Sequence, residues 1–146
     1  MRLGMNFERF ILEKEVALYL LILKISPSLK GYAYIMCGIC KIAKDMTKKH
    51  NVTNRLYDEI SQEFSVNKNL IDRAMRHAIE VSIKRNGIAD FEKFSSFDFS
   101  SEKPTPRELL TVLAEKAVLD KCHFLHQFYK ECEEVPDEDE EPLPYN

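Results

Sequence analysis

The stretch NLIDRAMRHAIEVSIKRNG, residues 69–87, is the part of the chain whose residue types and spacing most resemble a binding surface. At 100° per residue, Ile71, Met75, Ala78 and Ser82 share one side, which predicts a core stripe. Arginine can reach guanine edges in the major groove, and lysine or histidine can meet phosphates. The polar face opposite this stripe is therefore either a solvated helix surface or a surface that reads DNA. Its members are Asn69, Arg73, Arg76, His77, Glu80 and Lys84.

A second group of basic residues precedes this stretch, where contacts to the DNA backbone often lie. Its members are Lys41, Lys44, Lys48, Lys49 and Arg55. Two helical patterns separated by the short break SVNKN, the second with a basic face, are typical of a helix-turn-helix. The pattern alone is weak, because helix pairs with short turns are common in all-α proteins.

The cysteines and histidines raise a different possibility. Cys37 and Cys40 form a CxxC pair, and Cys122, His123, His126 and Cys132 could complete a zinc site. However, the pair lies within a helical pattern without a knuckle turn, which favours core or boundary thiols. His50 and the pair His123 and His126 form no plausible catalytic constellation with a nucleophile or a carboxylate. We therefore predict no enzymatic activity, no cofactor and no metal.

Composition is that of a folded, soluble protein: 146 residues, 45% hydrophobic and 31% charged. The longest apolar run, from Val16 to Leu23, is far shorter than the roughly 20 residues that span a bilayer. The residues before it are mixed in sign, unlike a signal peptide. We expect a cytoplasmic, nucleoid-associated protein with reduced thiols and no membrane partner.

Charge is distributed unevenly along the chain. Eight acids and no base occupy residues 131–141; removing those eight charges from the net charge of −3 leaves +5. A basic body with an acidic tail is compatible with a nucleic-acid partner. We predict a helical domain over residues 1–134 and a disordered acidic tail over 135–146. Such a tail is most often a solubilising appendage; alternatively, it competes with DNA for the basic face.

Apolar spacings of three and four predict a compact all-α domain of five to six helices that contains a helix-turn-helix. Helices are expected at 7–25, from Ser28, at 53–64 and at 69–86. Asn67 or Asn69 caps the fourth, and Gly87 closes it in the left-handed conformation. Residues 91–103 read as a loop. A long last helix starts at Thr105-Pro106 with a capping box from Glu108 and continues to about Glu134.

Four blocks carry a resemblance to a known family: LKGYAYI, LYDEISQEF, RAMRHAIEV and EKPTPRELLTVLAEK. Together they resemble the C-terminal effector domain of the sporulation master response regulator of endospore-forming Firmicutes, over residues 10 to 120. The resemblance implies a six-helix domain that binds double-stranded DNA, often as paired copies on tandem sites. It also implies contact with RNA polymerase and its sigma factor. Asp72, Arg73, Arg76 and His77 match the polar positions of the recognition helix.

Three departures accompany the resemblance. The position of Leu70 is typically a base-contacting arginine in the family, and leucine cannot make the bidentate guanine contact, although it can touch a thymine methyl. Gln62 and Glu63 replace lysines on the supporting helix, which weakens phosphate attraction. The chain also has no room for a receiver domain, so a stand-alone regulator is predicted.

The leading prediction is a sequence-specific transcriptional regulator, and two alternatives stay open. In one, the same fold serves as a protein–protein interaction module that has weakened or lost DNA binding. Its contact surface would be Leu70 and the aromatic extension formed by Phe124, Leu125, Phe128 and Tyr129, unless that extension folds back on the core. In the other, the cysteines bind metal. The predicted DNA-binding residues are Asn69, Leu70, Asp72, Arg73, Arg76, His77, Lys84, Lys48, Lys49 and Lys68.

Overall fold

The computed structural model describes residues 2–46 and 52–139, with side chains over 7–46 and 54–132. These ranges contain no strand, and a π-helical turn at Val52–Leu56 leads directly into the third helix. The prediction of an all-α domain is confirmed. The helices are α1 (Arg2–Ile22), α2 (Lys30–Lys44), α3 (Tyr57–Phe64), α4 (Lys68–Lys84), α5 (Gly87–Ser95) and α6 (Pro106–Asp139).

Helix α2 lies at the centre of the domain and contacts α1, α3, α4 and α6. Its Ile35, Ile39 and Ile42 recur at helical spacing and are fully buried. The first half of α6 covers this core with Leu110 and Leu113, which are equally buried. A continuous apolar core therefore holds α4 by one side, as its periodicity predicts.

Two contacts, one near the middle of α4 and one near its C-terminal end, set how closely this helix approaches the rest of the domain. A β-carbon added at Gly31 of α2 would collide with the main-chain carbonyl of Ala74, so α2 and α4 cross almost backbone to backbone. Near the C-terminal end of α4, the buried Ser82 hydroxyl donates a 2.6 Å hydrogen bond to the Leu23 carbonyl. These contacts fix the orientation of α4.

The end of α4 differs from its prediction. Asn86, not Gly87, takes the left-handed conformation, with φ of 62°, and Gly87 begins α5. Asparagine tolerates this conformation because its short polar side chain bonds locally. Gly87 is needed for another reason: a β-carbon there would collide with the Leu23 carbonyl. The predicted loop at 91–103 is likewise wrong in its first part, since α5 continues to Ser95.

Both predicted helix caps form. The Asn67 side chain accepts a 2.8 Å hydrogen bond from the Leu70 backbone N–H at the start of α4. Thr105 accepts a 3.1 Å bond from the Glu108 N–H at the start of α6. The Glu108 carboxylate accepts a hydrogen bond from the Ser100 N–H and not from the Thr105 N–H, so the reciprocal half of the predicted capping box is replaced by a bond to the preceding loop.

Several helix ends differ from their predictions: α1 begins earlier and α6 ends later, whereas α1 ends earlier and α2 begins later. Helix α1 begins at Arg2 and ends at Ile22, and α2 begins two residues after Ser28. The backbone of α6 continues to Asp139 and so includes the first residues of the predicted tail; residues 140–146 lie outside the described ranges. None of the helices in these ranges is long and apolar enough to cross a bilayer.

Candidate nucleic-acid interface

Helix α4 presents the predicted basic face to solvent. Asn67 caps its first turn, and Ile71, Met75, Ala78 and Ser82 are buried with at most trace exposure. The opposite side is exposed over about 22 Å of helix, as expected for 15 residues at 1.5 Å each. The predicted division of α4 into a core stripe and a polar face is therefore confirmed. The exposed members are Asn69, Arg73, Arg76, His77, Glu80 and Lys84.

Asp72 connects the supporting helix to this face. The hydroxyl of the buried Tyr57 on α3 donates to Asp72 Oδ1 at 3.1 Å, and Arg76 Nε donates to Asp72 Oδ2 at 2.8 Å. Burial, followed by the nearby Asp72 charge, raises the pKa of Tyr57, so the phenol stays protonated and remains a donor. The hydrogen bond to Asp72 raises the pKa of Arg76. Arg76 bonds to Asp72 through Nε, so Nη1 and Nη2 keep donor capacity for a ligand.

Leu70 lies in a groove between α4 and the beginning of α2. The groove has a volume of about 450 Å³, and its other walls come from Ser28, Leu29 and Lys30 on one side and from Arg73 and His77 on the other. Leu70 is half-buried and packs partly against the core. Its position offers an apolar contact flanked by basic groups.

The basic residues on the supporting side are partly neutralised. Lys41 forms a 3.2 Å ion pair with Glu63, and Lys68 forms a 2.9 Å pair with Asp58. Burial alone would lower the pKa of Lys41, but the hydrogen bond to Glu63 and the nearby negative charges, among them Glu63 and Glu59, together outweigh it and the pKa rises. Lys44 and Arg55 are exposed, as is Gln62. The predicted contacts Lys48 and Lys49 lie outside the described residues.

Two basic residues at this interface were not predicted from the sequence. Lys30, in the first turn of α2, lines the Leu70 groove and is exposed. Lys103 lies beside Arg76 just before α6 and forms a 3.3 Å ion pair with Glu80. Lys30 and Lys103 each lie at or just before the start of a helix that packs against α4. The sequence does not show this packing, so it contains no signal that would have identified the two residues.

A comparison with family models finds one match, to the family described as sporulation initiation factor Spo0A C terminal, over residues 16–117. The match covers more than two thirds of the chain and includes α2, α3, α4 and α5. The chain belongs to this family. It therefore contains the DNA-binding effector domain of a sporulation response regulator, a class of transcription-regulating domain rather than an enzyme. The resemblance in the four sequence blocks is confirmed.

The CxxC pair of this Spo0A-type domain consists of one half-buried and one buried thiol. Burial raises the pKa of both Cys37 and Cys40 to about 11, so both are thiols at neutral pH. Cys37 donates to Glu63 across 3.7 Å, while Cys40 is buried. Over the described ranges, no three cysteine, histidine or acidic side chains are grouped as metal ligands would be.

The aromatic extension lies outside the Spo0A-type match and packs against the start of α1. The Phe7 ring lies 5.5 Å from that of Phe128 and 6.5 Å from that of Phe124. Phe124, Phe128 and Tyr129 nevertheless remain 42%, 38% and 52% exposed. The extension thus partly folds back, as one alternative predicted, and still leaves an apolar surface.

Helix α6 leads away from the basic face. It begins beside Arg76 and Lys103, and its 34 residues extend about 51 Å. Residues 140–146 span at most about 25 Å when fully extended. To compete with DNA for the basic face of the same chain, these residues would have to reach back along α6 over more than about 25 Å. Competition of this kind would have to act between chains.

Proposed function

We propose that this protein recognises specific DNA sites by placing α4 in the major groove and regulates transcription from them. The observation that carries this proposal is the division of α4. Ile71, Met75 and Ala78 are buried, while Arg73 and Arg76 project from the other side. A helix held rigidly by one side presents its polar side at a fixed angle, which reading of base edges requires.

The side chains of α4 have distinct roles in this proposal. Arg73 lies at the centre of the face and contacts guanine O6 and N7. Arg76, held through Nε by Asp72, offers its two Nη groups to a second base or a phosphate. His77, Lys84 and Asn69 contact the backbone, which positions the helix without reading sequence. Lys68 adds a phosphate contact beside α3, and Lys30 and Lys103 add contacts beside α2 and α6. Lys48 and Lys49, outside the described residues, are further phosphate contacts in this proposal.

Leu70 changes specificity in this proposal. Its half-buried side chain fits a thymine methyl group and cannot fit a guanine edge. We therefore expect a target site that differs from the family's usual one at the base pair facing Leu70. Replacing Leu70 by arginine should shift the preference there to guanine, by about 5- to 150-fold if the contact contributes about 1–3 kcal/mol.

The decisive experiment is selection of bound duplexes from a random DNA pool with the full-length protein. We expect an enriched motif that Arg73→Ala and Arg76→Ala abolish. Lys130→Ala is the matched control, because it also removes one exposed positive charge but lies about 36 Å along α6 from Pro106. Absence of a motif at low salt, or loss of the motif in all three variants alike, would contradict the proposal.

A second candidate function is a protein-interaction module on the same fold. The ion pairs of Lys41 with Glu63 and of Lys68 with Asp58 favour it, because they reduce the positive charge available to phosphates. The same selection separates the two functions. An interaction module yields no motif and shows no dependence on Arg73, whereas a regulator yields both.

Membership of the family also suggests partners. We propose that the protein acts in the cytoplasm, where it binds as a homodimer on tandem sites and contacts the RNA polymerase sigma factor. Gel shifts with one site and with two adjacent sites test the first point, since cooperative pairing gives tighter binding to the tandem duplex. Transcription in vitro with purified holoenzyme, with and without the protein, tests the second.

A further inference from the structure

An apolar groove lies on the side of the domain formed by α1 and the turn that follows it. It has a volume of about 620 Å³. Leu21 and Leu18, which contribute to it, are 71% and 44% exposed. Two leucines exposed side by side in a concave surface are typical of a docking site. The apolar lining is formed by Leu18, Leu21, Ile25, Pro27 and Tyr32.

The rim of this groove is positively charged. Lys14, Lys24 and Arg85 line it, and none of the acidic residues whose side chains the structure describes does. Lys24 is engaged, since its ammonium group contacts Asp90 at 2.9 Å. Lys14 and Arg85 form no ion pair with the other side chains that the structure describes. An occupant should therefore be apolar, with acidic residues at one end.

One segment of this chain has that composition. Residues 137–141, DEDEE, are five consecutive acids, and residues 142–145, PLPY, follow at once. Segments with two closely spaced prolines favour the extended polyproline conformation, which docks into grooves lined by aromatic side chains. Tyr32 supplies such a side chain, and Lys14 and Arg85 carry charges opposite to those of the acids.

The segment cannot reach the groove of its own chain. Helices α1 and α6 run antiparallel, because Tyr19 bonds to Asp120 at 2.5 Å while Phe7 contacts Phe128. Measured along the two helices from the Phe7–Phe128 contact, Asp139 lies about 17 Å away in one direction and Leu18 lies about 17 Å away in the opposite direction. Leu143 is four residues past Asp139, a reach of at most about 14 Å.

We propose that the groove binds the acidic PLPY segment of a second copy of this chain. Leu143 and Tyr145 enter the apolar floor between Leu18 and Tyr32, and the acids contact Lys14 and Arg85. Reciprocal exchange of the two segments gives a closed dimer with twofold symmetry. The exchange lies outside α4, so such a dimer keeps both basic faces available.

Fluorescence anisotropy with a labelled peptide of residues 136–146 tests the proposal. The receptor is the full chain carrying Leu143→Asp and Tyr145→Asp, which leaves its own segments unable to occupy the groove. We expect saturable binding that Leu21→Glu weakens about tenfold, the effect of losing a central apolar contact and adding a repelling charge. Binding should also weaken as salt rises. Phe94→Glu, at a 72% exposed position outside the groove, should leave binding unchanged.

Sedimentation of the full-length protein gives an independent measurement. A concentration-dependent dimer that Leu143→Asp and Leu21→Glu each abolish supports the exchange. Equal peptide affinity for the Leu21→Glu and Phe94→Glu receptors would overturn it. Loss of peptide binding in Arg73→Glu but not in Leu21→Glu would also overturn it, since the acidic segment would then occupy the DNA-reading face of a second copy.

Discussion

Gly31 determines how closely α2 can approach α4, and replacing it with alanine should separate the two helices. A β-carbon at this position would collide with the Ala74 carbonyl oxygen, would lie 2.9 Å from its carbon and would lie 3.2 Å from the Ala78 β-carbon. The Ala74 carbonyl belongs to the main chain of α4, so no side-chain rotation relieves the collision. Overpacking of this kind costs about 1–3 kcal/mol, and alanine's better helix propensity returns at most about 1 kcal/mol.

With the full return from helix propensity, we expect a net loss of up to about 2 kcal/mol of unfolding free energy for Gly31→Ala, which lowers Tm by up to about 8 °C. Gly38→Ala is the control on the same helix. Its β-carbon would meet two methyl groups of Leu110 at 3.1 and 3.3 Å, and these lie at the end of a side chain that can rotate. The Tm of Gly38→Ala should therefore equal or exceed that of the unmodified protein.

Thermal unfolding followed by circular dichroism measures both variants, and anisotropy with a selected DNA duplex measures their function. Because α4 must shift relative to Lys30, Gly31→Ala should also weaken DNA binding at temperatures where it is folded. The reasoning fails if Gly31→Ala unfolds at the same temperature as Gly38→Ala, or above it. The close approach of α2 to α4 would then impose no requirement for glycine.

Three further predictions follow from individual contacts. Ser82→Ala should lose about 1–3 kcal/mol in urea unfolding, because the buried Leu23 carbonyl loses a donor at 2.6 Å; an unchanged midpoint would contradict this. Asn67→Ala should lose about 0.5–2 kcal/mol in the same assay through loss of the α4 cap, with exposed Asn69→Ala as control. Cys37 and Cys40 have a pKa of about 11, so at pH 8 only about one in a thousand of these side chains is a thiolate. This fraction rises about tenfold for each unit by which the pH increases towards the pKa. Iodoacetamide should therefore label exposed Cys122 and Cys132 first in peptide mass spectrometry, and equal labelling of Cys37 would refute this.

Features that depend on local chemistry could be predicted from the sequence. The face of α4 follows from its periodicity, and the caps at Asn67 and Thr105 follow from residue type, because a cap involves only the next three residues. The C-terminus of α4 was misassigned for a related reason. Glycine after a helix usually signals the left-handed conformation, but Gly87 is required by the Leu23 carbonyl, which is distant in sequence.

Features that depend on tertiary contacts could not be predicted. The sequence identifies Glu63 as a departure on the supporting helix, but it does not reveal that Glu63 pairs with Lys41 from α2. Lys30 and Lys103 join the interface only because α2 and the loop before α6 pack beside α4. The second half of α5 was predicted as a loop, because it opens the serine- and phenylalanine-rich stretch 91–103 and the nine residues of the helix are too few for a clear period.

Asp72 offers a test of whether Arg76 is positioned for reading or merely adds charge. The Asp72–Arg76 pair is i,i+4 on an exposed face, so it contributes only about 0.3–0.5 kcal/mol to stability. Its larger effect is to hold the Arg76 guanidinium through Nε, with Tyr57 holding Asp72 in turn. Asp72→Asn removes a negative charge from the face that we propose binds DNA, and it weakens this hold.

The two consequences have opposite signs. Loss of the negative charge should tighten binding to scrambled DNA, since phosphate attraction is independent of sequence. Loss of the oriented fork should weaken binding to the selected site, by up to the about 1–3 kcal/mol of one bidentate contact. Anisotropy with both duplexes should therefore show the ratio of specific to non-specific affinity falling, with a smaller fall for Tyr57→Phe, which leaves the charge in place. If Asp72→Asn tightens both duplexes equally, Asp72 acts through its charge alone and Arg76 does not read a base.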